Sequence, residues 1–245
     1  MARAAVFIYG LLCYAVFFLT FLYAIGFTGN FVVPRSVDAG GPLAPWSRAV
    51  LVNAVLLSLF ALQHSVMARP GFKRRWTRLV PPPAERSTYV LLSSLLLALL
   101  FWQWRPMGAV AWDAEHTAGR LALQALFWGG WFTVLASTFM IDHFELFGLR
   151  PVWRHFRAEA PESPSFRTPA LYRLVRHPIM LGFLVAFWAA PRMTAGHLLF
   201  AAATSGYIFV GVALEERDLM RAFGEQYARY RERVSMILPL PKRKK

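Results

Sequence analysis

Two charged clusters lie hard against apolar sequence in the last third of the chain. Arg176-His177-Pro178 opens the uncharged run 178–190, and Glu215-Glu216 closes the run 197–214. Ionised groups beside hydrocarbon are costly to keep and mark binding or catalysis. Pro178 suits the first turn of a helix, where its missing N–H costs nothing. The N–H groups exposed there, with Arg176 and His177 beside them, would attract an anion such as a carboxylate. The same three residues also read as juxtamembrane charge that only sets topology. At helical spacing Glu216, Met220, Phe223, Tyr227 and Tyr230 share one face. A carboxylate on a buried stripe needs a cation. A structural arginine such as Arg176 can supply it, and so can a ligand ammonium or sulfonium, which aromatic rings also favour. Glu215 can take either role.

A ligand with carboxylate, ammonium, sulfonium and adenine groups meets this whole set, and S-adenosylmethionine is one such ligand. A second set of chemistry-bearing residues lies upstream. His64 stands near the end of the apolar run 49–67, and Asp142-His143 follow the run 121–141. An aspartate beside a histidine can tune a general base. The same pair also reads as helix caps bonded to backbone. His64 reads either as a pocket wall or as a packed polar residue, and Gln63 as a packed amide. His64 with His143 has the ligand types of a haem, without any other haem signal in the chain. His197 reads as interfacial, and His116 and His155 as solvated loop residues. Cys13 is the single cysteine, so one chain can form neither a disulfide scaffold nor a cysteine-based zinc or iron–sulfur site. No cluster has metal-ligand spacing.

The elements that must position these groups are membrane helices. The chain has 245 residues, 57% hydrophobic and 16% charged, too apolar for an ordinary soluble domain. Apolar runs at 6–27, 49–67, 87–104, 121–141, 178–190 and 197–214 predict about six spans, a single all-α polytopic membrane domain over 1–245. The last two runs form a helical hairpin, followed by a charged cytoplasmic helix over 215–233. The run 178–190 is short for about 30 Å of hydrocarbon. It either extends back through 171–176 or starts below the membrane surface under a cover of protein. The stretch 144–156, aromatic and arginine interleaved, predicts an interfacial helix. The formal charge of +14 would suggest nucleic acid in a soluble protein, but a positive-inside distribution accounts for it here. Of 27 Lys and Arg, only Arg35, Arg48, Arg105, Arg120 and Arg192 fall on the far side, which puts both termini in the cytoplasm.

Arg176-His177-Pro178 with Gly182 four residues beyond the proline, then the hairpin, Glu215-Glu216, Phe223-Gly224, Tyr227 and Tyr230 resemble the signature of the isoprenylcysteine carboxyl methyltransferase superfamily. Met180 stands where that superfamily commonly has tyrosine. The segments LQHSVMARPGFKRRWTRLVPP, ERSTYVLLSSLLLALLFWQWRP, DHFELFGLRPVW and FRTPALYRLVRHP extend the resemblance over nearly the whole chain, to bacterial methanethiol S-methyltransferases and, more distantly, to NnrU-like membrane proteins. The resemblance implies methyl transfer from S-adenosylmethionine to methanethiol in a bacterial inner membrane, giving dimethyl sulfide. It implies a cofactor site at Arg173, Arg176, His177, Pro178, Gly182, Glu215 and Glu216, with Tyr227 and Tyr230 near, in a core of about residues 168–239. It adds His64, Arg86, Tyr89, Asp142 and His143 as pocket residues, with His64, Asp142, His143 and Arg176 as catalytic candidates. No metal and no obligate protein partner are implied. A lipid-like acceptor within the superfamily, or a non-catalytic membrane protein, are the competing readings. Methanethiol must lose its proton to act as nucleophile, in a dry, tight pocket where positioning supplies much of the acceleration.

Overall fold

An uncharged run inside a bilayer folds as helix because no water is there to satisfy its backbone. The computed structural model, which describes residues 2–160 and 165–240, follows that rule. Among the described residues five helices are long and apolar enough to cross a membrane: α1 (Arg3–Gly29), α2 (Trp46–Ala68), α4 (Pro82–Gln103), α5 (Thr117–Ile141) and α9 (Ala195–Arg233). Shorter pieces join them: α3 (Pro70–Trp76), strand β1 (Val110–Asp113), α6 (His143–Leu146), α7 (Leu149–Arg157), a 3-10 turn (Ala170–Arg173), α8 (Pro178–Trp188) and strand β2 (Arg192–Thr194). The protein is an all-α polytopic membrane protein with one small β1–β2 ribbon. The basic tail 241–245 lies outside the described residues.

Four details depart from the sequence reading. The interfacial segment is two helices, because Gly148 takes a left-handed conformation (φ 83°) and interrupts it. The basic loop after α2 holds α3, opened by Pro70 in its first turn. The turn before residue 197 is β2, paired with β1. No helix end falls at Leu214: α9 runs through Glu215-Glu216 and breaks only at Gly224 (φ 49°, ψ −125°), a conformation open to glycine alone.

The chain divides into two compact units. The first comprises Met1–Ala109, Asp142–Ser163 and Thr194–His197. In it α4 packs against α1 and α2, and α7 lies across α1. Gly10 admits α7 to α1, since a Cβ there would lie 2.4 Å from Val152 Cγ2. Tyr9 and Thr88 bond through their hydroxyls at 2.9 Å. Ser87 Oγ donates to the Gly148 carbonyl at 2.9 Å, joining α4 to the α6–α7 corner. Asn53 is fully buried and bonds both the amide and the carbonyl of Arg105, so it closes backbone groups beyond the end of α4.

The second unit comprises Val110–Ile141, Pro164–Met193 and Leu198–Lys245. Here α5 packs closely on α8. A Cβ on Gly130 would come within 2.7 Å of the Gly182 carbonyl, and one on Gly182 within 2.7 Å of the Gly130 carbonyl. Small residues at such a crossing let two backbones meet, the main source of attraction between helices in lipid. The 11 residues of α8 reach only about 16 Å. The chain around it completes the distance. Tyr172 Oη donates to the Ser137 carbonyl near one end of α5, while Ala114 N donates to the Pro191 carbonyl just before its other end. Residues 172–190 therefore run the length of α5 with helix in the middle and irregular backbone at the start. That irregular stretch is covered by protein: Arg176 N and His177 N donate to the Ser235 and Met236 carbonyls at 2.8 and 3.1 Å.

Candidate functional site

In the second unit the sequence-predicted residues converge on Glu216. Its carboxylate is buried on α9 where the helix passes the start of α8. Arg176 Nε and Nη2 lie 2.7 and 2.6 Å from Glu216 Oε1, and His177 Nε2 lies 3.2 Å from the same oxygen. Arg176 Nη1 donates to the carbonyls of Arg231 and Val234 at 3.2 and 2.5 Å. Arg231 adds a second cation to the same carboxylate, with Nε 3.6 Å from Oε2. The Arg176 guanidinium fork suits its duty, with planar donors for a carboxylate on one edge and for carbonyls on another. His177 stands between two acids, with Nδ1 3.6 Å from Glu215 Oε2. The Glu215 side chain is half exposed.

An aromatic cage adjoins this network. Phe166 lies 5.4 Å from Phe223, 5.9 Å from Tyr227 and 5.3 Å from Tyr230, centroid to centroid. Tyr230 Oη donates to the Tyr172 carbonyl at 2.5 Å. Burial, with Glu215 and Tyr230 nearby, pushes the Tyr172 phenol well above its ordinary range, so it stays a neutral donor. The Tyr227 hydroxyl is buried beside Glu216. Pro178 fills the first turn of α8. Two predicted residues stand apart from the cluster. Gly182 faces Gly130 and Val134 of α5, and Arg173 is exposed and bonds the Thr168 carbonyl of its own turn.

In the first unit the pocket candidates form two linked groups. His64 Nδ1 is 3.3 Å from Ser93 Oγ, and Ser93 Oγ donates to Gln63 Oε1 at 3.2 Å. Gln63 also reaches the Met67 sulfur, which makes it the packed amide expected. The His64 ring leans on Tyr89 at 5.1 Å, and Arg86 lies 5.2 Å over the Tyr89 ring. Arg86 Nε donates to the Leu146 carbonyl at 2.7 Å, which ties this group to α6. There Asp142 caps α6, accepting from Glu145 N at 3.1 Å, and pairs with Arg150 at 2.5 Å. The His143 ring meets Tyr14, whose hydroxyl is 2.8 Å from Nε2. Burial pushes the His143 imidazole below its ordinary range, and Asp142 opposes that shift.

Sequence reasoning missed Tyr14, Phe166, Tyr172 and Ser93. Phe166 and Tyr172 fall inside the segment FRTPALYRLVRHP and were open to notice. Tyr14 sits in an uncharged span where no spacing distinguishes it from a packed aromatic.

Residues 51–236 match the family described as NnrU protein. The chain is 61% identical to a Mycobacterium tuberculosis protein named methanethiol S-methyltransferase, over 99% of both chains. It is 56% identical to methanethiol S-methyltransferase 2 of Bradyrhizobium diazoefficiens, over 97% of this chain and 91% of the relative. It is 30% identical to mouse Nurim, over 74% of this chain and 76% of the relative. No solved structure matches.

Proposed function

This chain belongs to the NnrU protein family, and on that premise we propose that it is an integral-membrane methyltransferase that uses S-adenosylmethionine to convert methanethiol to dimethyl sulfide. The observation that carries the reading is end-to-end identity with relatives named for that substrate. The residues around Glu216 fit the methyl donor by their chemistry. Glu215 offers a half-exposed carboxylate, Tyr227 a buried hydroxyl beside Glu216, and Phe166, Phe223 and Tyr230 ring faces for an adenine or a cation.

When bound, S-adenosylmethionine supplies an electrophilic methyl group on a positively charged sulfur. The chain's residues do the rest. Arg176 holds Glu216 and the carbonyls of Arg231 and Val234 in one place, so α9 and the segment after it keep their register against α8. His177 completes the acidic pair's surroundings and fixes the orientation of Glu216. In this reading Arg176 acts by positioning. His64, Arg86, Tyr89 and His143 are the residues assigned to the thiol, and Phe17, Phe147, Met67 and Val90 supply apolar packing in their unit. Water excluded from such a wall leaves a thiolate poorly solvated and reactive.

Purified protein in detergent, given S-adenosylmethionine and methanethiol, should release dimethyl sulfide into the headspace with one S-adenosylhomocysteine per product. Intact cofactor binding without dimethyl sulfide would transfer the reading to a larger, lipid-like acceptor. No cofactor binding would sink it in favour of a non-catalytic membrane protein.

A further inference from the structure

Resting on that reading, we propose that Tyr14 and His143 form the proton relay of the reaction, Tyr14 taking the proton of the bound thiol while passing its own to His143 Nε2. The pair is placed for this and for little else. Tyr14 comes from α1, an apolar span without a charged residue beyond its first position, yet its hydroxyl meets the imidazole at 2.8 Å. His143 is 5% exposed and ringed by aromatics, with Phe147 at 4.8 Å, Phe144 at 5.3 Å and Phe17 at 6.5 Å. Phe17 stacks on Phe147 at 3.8 Å and continues into the Met67–Tyr89–Val90 cluster.

The charged groups on the elements around this ring already have bonded partners. Asp142 is taken by Arg150 and by the cap of α6, Glu145 by Arg154 of α7, and Arg86 of α4 by the Leu146 carbonyl. The cap also holds a strained backbone. Asp142 has φ 145° and ψ 88°, outside the regions a residue with a Cβ adopts freely, and such strain collects at functional sites. It turns the next residue, His143, in toward α1. A histidine kept only to stop a helix needs none of this.

An alkyl thiol is mostly un-ionised at neutral pH and must lose a proton to become a strong nucleophile. Tyr14 is only partly buried, and its neighbours Leu11, Phe18 and Phe144 are exposed on the apolar surface. A small apolar thiol arriving from hydrocarbon meets the phenol first, and sulfur packs favourably against aromatic rings. The S–H bond breaks as the Tyr14 oxygen takes that proton, while the Tyr14 O–H proton moves to Nε2. The products are a thiolate and an imidazolium, with the phenol regenerated and no proton gained or lost. Burial keeps His143 neutral and ready to accept.

Tyr14→Phe keeps the ring and removes only the relay. With the methyl donor omitted, isotope-labelled histidine in the wild type should give one neutral imidazole whose Nε2 carries the shift of a hydrogen-bond acceptor. Tyr14→Phe should move that signal and His143→Gln should remove it. In turnover, Tyr14→Phe should lower kcat for methanethiol by about 100-fold, as expected for loss of general-base catalysis. The KM for S-adenosylmethionine should stay unchanged. A small thiol acidic enough to arrive ionised, such as trifluoroethanethiol, should recover most of the rate. The wild-type rate should also fall as pH drops and His143 protonates before it can accept, and Tyr14→Phe should lose that limb. A Tyr14→Phe protein that leaves that signal in place and turns over like wild type would overturn the relay. So would an equal loss for every thiol, because a packing defect ignores thiol acidity. The donor-free measurement reports on the pair even if no dimethyl sulfide forms, so failure of the relay and failure of the wider reading are separable.

Discussion

Arg176 is the most heavily committed side chain in its unit, and its commitments explain why a buried glutamate is tolerated beside a membrane helix. Removing one partner of a buried ion pair leaves a bare charge, at a cost of about 3–5 kcal/mol. Arg176→Gln should lower stability by about that much, since Glu216 Oε1 loses two short contacts and two carbonyls lose their donor. Arg176→Lys should fall between, keeping the charge without the fork. Thermal unfolding in detergent reads both, and a midpoint within a degree or so of wild type for Arg176→Gln would contradict the lock. The Arg176, His177 and Glu216 cluster was legible in sequence because polar residues stand out against an apolar background. Their division of labour was not. Arg176 pairs with the chain's own Glu216 beside the start of α8 and His143 bonds Tyr14, while Asp142 bonds a cap and an arginine. Both contacts join residues far apart in sequence, and spacing carries no such information.

At the scale of elements, the α5–α8 crossing decides whether the start of α8 meets Glu216. Gly182→Ala or Gly130→Ala would force a methyl group into 2.7 Å of a facing carbonyl. Overpacking of that kind costs about 1–3 kcal/mol. Gly129→Ala is the control, because its Cβ would meet nothing within 4 Å. Thermal midpoints should fall for the first two and hold for the third; an equal response from all three would show that helix propensity, not the crossing, is being measured. Gly182 belongs to the motif that suggested a cofactor contact, yet its neighbours are α5 backbone and Val134. The long helices were readable from hydropathy alone, since every backbone group bonds within its own segment. The 3-10 turn, the irregular stretch before α8 and its pairing with Ser235 and Met236 were not, because their hydrogen bonds are tertiary. The charged residues after Leu214 suggested a new helix, but charge does not stop a helix, and only the backbone freedom of Gly224 does so here.

For the whole molecule, the run over residues 172–190 settles the arithmetic of crossing. If it traverses as the length of α5 beside it indicates, six passes return the C-terminus to the side of the N-terminus. Five passes by the long helices alone would leave the termini on opposite sides. The distribution of 27 Lys and Arg favours six, since 22 of them then share one side and five lie on the other. A Cys13→Ser background with single cysteines at Ala2 or Leu240 decides between them, both positions being exposed. An impermeant maleimide should leave both unlabelled in intact cells and label both in inverted membrane vesicles. Labelling of one site in cells and the other in vesicles would show that the 11-residue α8 and its flanks turn back within the bilayer. The five-pass count would also part Glu216 from Arg176, because α9 would then start from the face where α8 begins and carry Glu216 to the opposite one, so the contacts of 2.7 and 2.6 Å between them belong to six passes.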